Sequence, residues 1–429
     1  MDIDEEKVGL VSQAGEEKDD TPKFGFLFFG LVSLFAFTYF IQVIGLLTSK
    51  TLPIFASAAT MIYGISSNLG QLFSIFVAYR MSFGRRIWIS CFIIAMTCIF
   101  YPSFINSHIP GGFFSGLLIT IGLGFSNALI QSAGFGLAAC VSDSAINYFS
   151  FGQSLAGIIC WPLQIALHYF FAEIGFNTER INSRPSMVES WTISVGFFIV
   201  AMTTLSMIPF FVFWLSSAPA VRRAFHKLSI AKTTGQPERD FLVIFGDTLP
   251  LALSVWFVLF ATFLVFPGVV LTMIPRFDKF PGGRPFFSAL LIFVFQVFDV
   301  LGKLFTLIGV VLNPRQVKIL SPTRILIALL IYLSAADLTI LKYDGMKIFL
   351  VAVLAFTNGA LINSAMMHGP SQVRPAEADR AGYIMAFFLV NGILFGSLVS
   401  LFIGNLPDIT PKVAETASEL MIIINPHEN

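Results

Sequence analysis

Apolar residues in this chain come neither in strict alternation nor in a narrow helical stripe. They form long blocks of about 20 or more, the length a helix needs to cross the hydrocarbon core of a bilayer. That pattern predicts helices near 24–48, 54–79, 87–107, 112–141, 146–172 and 192–217, then near 248–274, 285–311, 323–341, 346–367 and 381–404, eleven crossings in all. The final apolar run, Leu420-Met-Ile-Ile-Ile424, is too short for a twelfth. The longest internal polar interruption, Ser216 to Asp247, carries Arg222, Arg223, His226 and Lys227 and separates six helices from five. The expected organisation is a tail over 1–23, a six-helix bundle over 24–217, a linker over 218–247, a five-helix bundle over 248–404 and a tail over 405–429. Two bundles joined in this way suit alternating access, in which each half rocks about a site near mid-depth.

Composition agrees with an all-α integral membrane protein. Hydrophobic residues make up 56% of the 429 and charged residues 12%, against roughly 25% charged in a soluble domain. The net charge of +1 offers no footprint for nucleic acid. With the N-terminus inside, the inner segments hold sixteen Lys and Arg, Arg324 among them, and the outer segments nine, which favours cytosolic placement of the N-terminus and linker. The opening Met1-Asp-Ile-Asp-Glu-Glu is acidic and has no signal-peptide character. Cys91, Cys98, Cys140 and Cys160 all lie in or beside apolar segments and read as small buried side chains. Gly122, Gly124, Gly134 and Gly136 fall inside an apolar helix with no preceding strand, so they predict close helix packing and not a nucleotide loop.

Against that apolar background, Gln296, Asp299 and Lys303 stand out. Spaced by three and four, they share one helical face. A charge at mid-membrane costs roughly 2.5 to 3.5 kcal/mol on insertion scales, so such residues point by default to a functional site. An Asp299–Lys303 pair that only neutralises itself is the alternative; the uncharged Gln296 beside them favours a binding surface. Asn68, Asn127, Gln153 and Asn358 are expected to knit helices together. Asp337 is expected near a helix boundary, and His368 as a cap or hinge contact. The five histidines are scattered, and no nucleophile–base or metal-ligand spacing occurs, which argues against an enzyme and against a bound metal or cofactor.

The run Gly369-Pro-Ser-Gln-Val-Arg-Pro-Ala-Glu-Ala-Asp-Arg-Ala-Gly-Tyr-Ile-Met-Ala-Phe-Phe388 closely resembles the equilibrative nucleoside transporter family, which carries a Gly-Pro, Lys/Arg-Pro-Ala-Glu-Ala and Ile-Met-Ala-Phe-Phe pattern between its last two helices. Ala355-Phe-Thr-Asn-Gly359, Phe298-Asp-Val-Leu-Gly-Lys303, Gln131 with Phe135-Gly-Leu-Ala138, and Gly152-Gln-Ser-Leu-Ala-Gly157 extend the resemblance to both halves. The resemblance implies a six-plus-five arrangement related to the major facilitator fold and facilitated diffusion of nucleosides or nucleobases; a monomer is the expected state. By position, Asp299 and Lys303 would face sugar hydroxyls, Gln131 would bond a base edge, and Leu34, Phe266, Phe295 and Leu394 would enclose the ring.

The chain departs from the family at Lys303, where the usual residue is Arg, and at Gln296, where it is Asn. It also reads Ala36-Phe37-Thr38 in place of Pro-Trp-Asn, and it has Gly64 and Ser67 at positions matching apolar site residues. Arg85 and Arg86 look like the inner-loop motif by which major facilitators latch their halves. A proton-coupled carrier of the same solutes, or another major-facilitator carrier, is the alternative reading. The plasma membrane is the expected location; Glu6-Lys-Val-Gly-Leu10-Val11 faintly resembles a sorting signal for an endolysosomal or vacuolar membrane.

Overall fold

A computed structural model of the chain describes residues 20–50, 55–106, 112–171, 187–233, 239–275 and 283–404. The Glu6–Val11 motif, the run Leu420–Ile424 and most of both tails lie outside them. Among the described residues every regular element is helical.

Eleven long helices form the body: α1 (Lys23–Lys50), α2 (Phe55–Phe76), α3 (Phe83–Asn106), α4 (Gly112–Val141), α5 (Asp143–Phe171), α6 (Met187–Pro209), then α8 (Phe241–Val265), α9 (Gly283–Leu307), α10 (Pro314–Ala335), α11 (Asp344–His368) and α12 (Ala378–Gly404). Among the described residues, ten spans are long and apolar enough to cross a membrane. The remaining helix, α2, has the length but carries Ser66, Ser67, Asn68, Gln71 and Ser74, all buried, and so falls short in apolarity. Its polar face meets protein.

Between the halves lies α7 (Pro219–Thr233), a helix within the expected linker. Val221 and Ala224 are buried, with Phe225 and Leu228 half-buried, while Arg222, Arg223, His226 and Lys227 are exposed. That 3.6-residue periodicity lays α7 along the end of the bundle.

Several helix limits differ from expectation. α8 starts at Phe241 and not 248, and stops where Phe266 turns extended before Pro267, a residue that disfavours the α conformation just ahead of it; a short helix, Gly268–Thr272, follows. α6 runs into π-helical backbone over Phe210–Leu215. The largest difference is α10, which begins at Pro314 where the hydropathy window began at 323. Asn313 and Gln316 form a reciprocal capping box around Pro314, a start signal that a hydropathy window cannot register. Arg315 and Lys318 remain exposed on its first turns, but Arg324 lies inside the helix and is 1% exposed. Its assignment to an inner loop is therefore corrected, and it no longer belongs in the loop charge count.

Within the halves, α1 packs on α5, α2 on α4, α8 on α12 and α9 on α11; between them, α5 meets α9 and α11, and α12 meets α2 and α4. The glycines of α4 serve close packing as expected: a Cβ at Gly134 would collide with Phe149 and one at Gly136 with Tyr383. All four cysteines are free thiols, Cys140 partly buried and the others buried.

Candidate functional site

The polar face of α9 turns inward, onto α5 and α11. Asp299 and Lys303 are each 7% exposed. Their ion pair is slack, with Nζ 3.7 Å from Oδ2, because each has a better partner elsewhere. Ser154 Oγ donates to Asp299 Oδ2 at 2.5 Å, Asn358 Nδ2 donates to Asp299 Oδ1 at 2.7 Å, and Lys303 Nζ donates to the Ser150 carbonyl at 3.1 Å. Ser150 and Ser154 belong to α5 in the first half, so carboxylate and ammonium each reach across the junction. This is not a self-contained pair. Gln296, one turn earlier in α9, has its amide against Gly157 of α5, where a Cβ would clash with it.

Glycines set how closely α9 approaches α11. A Cβ on Gly302 would strike the Phe356 carbonyl, and one on Gly359 would strike the Asp299 carbonyl. Each of the two runs, Phe298–Lys303 and Ala355–Gly359, thus couples a polar residue of the candidate site to the glycine that lets the helices close around it.

Toward the linker side, the polar contacts continue. Thr306 Oγ1 donates to Asn147 Oδ1 at 3.1 Å, and Asn363 Nδ2 bonds both Asn147 and Thr306. Beyond them, Ser371 Oγ donates to Asp143 Oδ1 at 3.4 Å. Arg86, 2% exposed, lies 4.4 Å from the Phe83 ring centroid and 4.9 Å from that of Tyr383 on α12. Of the two arginines expected to latch the halves, Arg86 sits at the junction. Arg239, outside the spans, forms a bidentate pair with Glu377 and also bonds Asp247 at 2.9 Å; its hydrogen bonds to Glu377 raise the guanidinium still further above its ordinary value.

Gln131 belongs to a second polar group, in the first half. Its Oε1 accepts from Gln71 Nε2 at 3.2 Å. One turn earlier in α4, Asn127 Nδ2 donates to the Tyr63 hydroxyl at 2.8 Å, and the Tyr63 ring stacks on Phe37 at 4.2 Å and 17°. The apolar candidates divide. Phe266 and Phe295 stack directly on each other, with centroids 3.9 Å apart and planes 13° apart. Leu394 packs against Gly64, so α12 fills the space beside that glycine. Leu34 packs within the hydrophobic core that runs through both halves.

Sequence reading passed over Tyr63, Gln71 and Ser154 as site residues and assigned Arg324 to a loop. Gln71 carried a signal, an amide in an otherwise apolar helix three residues after Asn68; Ser154 lay inside the run Gly152–Gly157, but its hydroxyl drew no attention because a serine is ordinary in such helices. Among the amides expected to knit helices, Asn68 does so, accepting from Asn391, which accepts from Trp256. Gln153 bonds Ser33 of α1. Asn358 knits α11 to α8 through Thr262 and reaches the candidate site as well. Asp337 pairs with Lys347 of α11 at 2.6 Å, beyond the end of α10, and His368 contacts the Leu312 carbonyl.

The Nucleoside transporter family model matches residues 216–405. Equilibrative nucleoside transporter 1 of Homo sapiens is 26% identical over 314 residues, covering 64% of this chain and 65% of that protein. The Mus musculus protein of that name is 32% identical over 163 residues, 35% of each chain. These alignments therefore span less than two thirds of either relative. Among solved structures, the proton:xylose symporter XylE bound to 6-bromo-6-deoxy-D-glucose superposes with a TM-score of 0.59 at 14% identity, over 92% of this chain and 89% of that one. A bacterial homologue of the iron transporter ferroportin gives 0.56 at 10% identity, over 94% and 98%. Such low identities establish the major facilitator fold alone. In sequence the second half of the chain is thus similar to nucleoside transporters, and the molecule as a whole shares the major facilitator fold.

Proposed function

We propose that the protein carries nucleosides, and nucleobases with them, across a membrane by facilitated diffusion, exposing one central site to each side in turn. The observation that supports this reading best is the way Asp299 and Lys303 span the junction: both sit on α9, yet Ser154 and Ser150 of α5 hold them. Groups shared between two rigid halves are those a solute can replace when the halves part. A carboxylate accepts from two hydroxyls and an ammonium donates to oxygen, which suits a sugar; the Gln131 amide both donates and accepts, which suits a base edge. No cofactor is required. The linker side is the cytosolic side in this reading, the carrier acts as a monomer, and the plasma membrane is its location.

Uptake of labelled adenosine, uridine and hypoxanthine into cells lacking their own carriers, at two pH values, tests the proposal. The expected result is saturable uptake of both nucleosides with no dependence on a proton gradient, and its loss in Asp299→Ala and Gln131→Ala at unchanged surface abundance. Parental uptake by both variants would remove the site assignment. Uptake that follows the proton gradient would favour the coupled alternative.

A further inference from the structure

Arg324 is the largest fully buried side chain among the described residues, and it makes no ion pair. Its Nη1 donates to the Val258 carbonyl at 2.8 Å and its Nη2 to the Leu354 carbonyl at 2.6 Å, so the guanidinium joins α10 to α8 and α11. The remaining contact points toward the candidate site. Nη1 also approaches Asn358 Oδ1 at 3.4 Å, the atom that accepts from Thr262 Oγ1 at 2.9 Å.

Of these two groups Arg324 decides which way the Asn358 amide faces, because a guanidinium can only donate whereas a hydroxyl can also accept. An amide has one acceptor end and one donor end. With the Arg324 guanidinium on the oxygen side, the NH2 end faces Asp299, and it donates to Oδ1 at 2.7 Å. A flipped amide would set its NH2 against the guanidinium, which can only donate, and its oxygen against a carboxylate, which is repulsive at both ends; the Thr262 hydroxyl, also 2.8 Å from the Val258 carbonyl, can serve either orientation. The other carboxylate oxygen is held by Ser154.

We infer that Arg324 is a positioning residue of the substrate site: through Asn358, and with Thr262, it fixes the rotamer of the Asp299 carboxylate without touching the solute. A scaffold role alone would need only the two carbonyl contacts. The inference rests on the reading that Asp299 bonds sugar hydroxyls, and the experiment separates the two.

Initial uptake of uridine and of 2′,3′-dideoxyuridine would be measured for Arg324→Lys, Thr262→Val, Asp299→Asn and each of the first two combined with Asp299→Asn, all normalised to surface abundance. Lysine keeps the charge but loses the planar fork; valine removes one hydroxyl at nearly constant volume. Arg324→Lys is expected to raise KM for uridine about tenfold, the scale of one misplaced charge-assisted hydrogen bond, while KM for the dideoxy compound moves far less. Thr262→Val should shift in the same direction by less. In the Asp299→Asn background both effects should vanish, because there is no longer a carboxylate to orient.

Equal effects on the two substrates, or effects that persist unchanged on top of Asp299→Asn, would overturn the inference and leave a purely structural arginine. If Arg324→Lys does not reach the surface, Thr262→Val decides by the same two criteria. Parental uridine uptake by Asp299→Asn would instead overturn the underlying site reading, and this inference with it.

Discussion

Lys303 stands where the family that this chain resembles usually has Arg, and the difference bears directly on what the site can grip. A guanidinium presents a rigid fork that can grip two oxygens at once, whereas an ammonium is a compact point charge on a flexible stem. Here the ammonium donates to the Ser150 carbonyl and stands 3.7 Å from Asp299, a spacing that leaves one carboxylate oxygen bonded by Ser154 and the other by Asn358. If the pair meets a sugar, Lys303→Arg should improve uridine uptake relative to hypoxanthine uptake, because only uridine offers ribose oxygens to the fork. The ratio of the two initial rates is the measurement, and an unchanged ratio would count against the sugar contact. The same local view explains why Asp299 was legible from sequence and Ser154 was not: a carboxylate in an apolar segment demands a reason, while a serine can satisfy itself on its own helix.

Among the helices, α9 and α11 form the pair that builds the site, and their approach depends on two glycines facing two carbonyls. Adding a methyl group at Gly359 would force the backbone of α9 away near Asp299. Overpacking of this kind costs about 1–3 kcal/mol, and a displacement of about an ångström at a binding group can cost far more in rate than in stability. Gly359→Ala is therefore expected to lower the melting temperature of the detergent-solubilised protein modestly and to reduce uptake roughly tenfold or more. Melting by intrinsic fluorescence alongside uptake checks both; a normal rate with a lowered melting point would confine the glycine to stability. Helix starts show the limits of reading by hydropathy. The window found α4 end to end, since its apolar block coincides with the helix, but it missed the first turns of α10 because Arg315 and Lys318 extend their charged ends away from the protein.

At the scale of the whole molecule, the contacts between halves run from Asp299 and Lys303 toward the linker side: Asn147 to Thr306 and Asn363, Asp143 to Ser371, and Arg86 against Tyr383. In the proposed cycle of alternating access these contacts separate once per turn. A short bifunctional thiol reagent applied to an Asp143→Cys/Ser371→Cys double variant, in a background lacking the four native cysteines, is expected to abolish most uptake. Either single variant treated in the same way should keep its uptake. Retained transport in the cross-linked protein would show that this side need not open.

The amino-acid sequence by itself determined the membrane class, the number of long helices, the six-and-five division and the identity of the ionisable pair, because a bilayer constrains block length and charge so severely that both are written in hydropathy. Only the tertiary structure decided which groups meet. It turned Arg324 from a loop cation into a buried anchor, paired Asp299 and Lys303 with serines of the opposite half, and stacked Phe266 on Phe295. The physical reason is range. Hydropathy and motif spacing report what one segment must do with its own side chains, whereas a hydrogen bond between residues 145 positions apart, such as Ser154 to Asp299, exists only once the helices have packed.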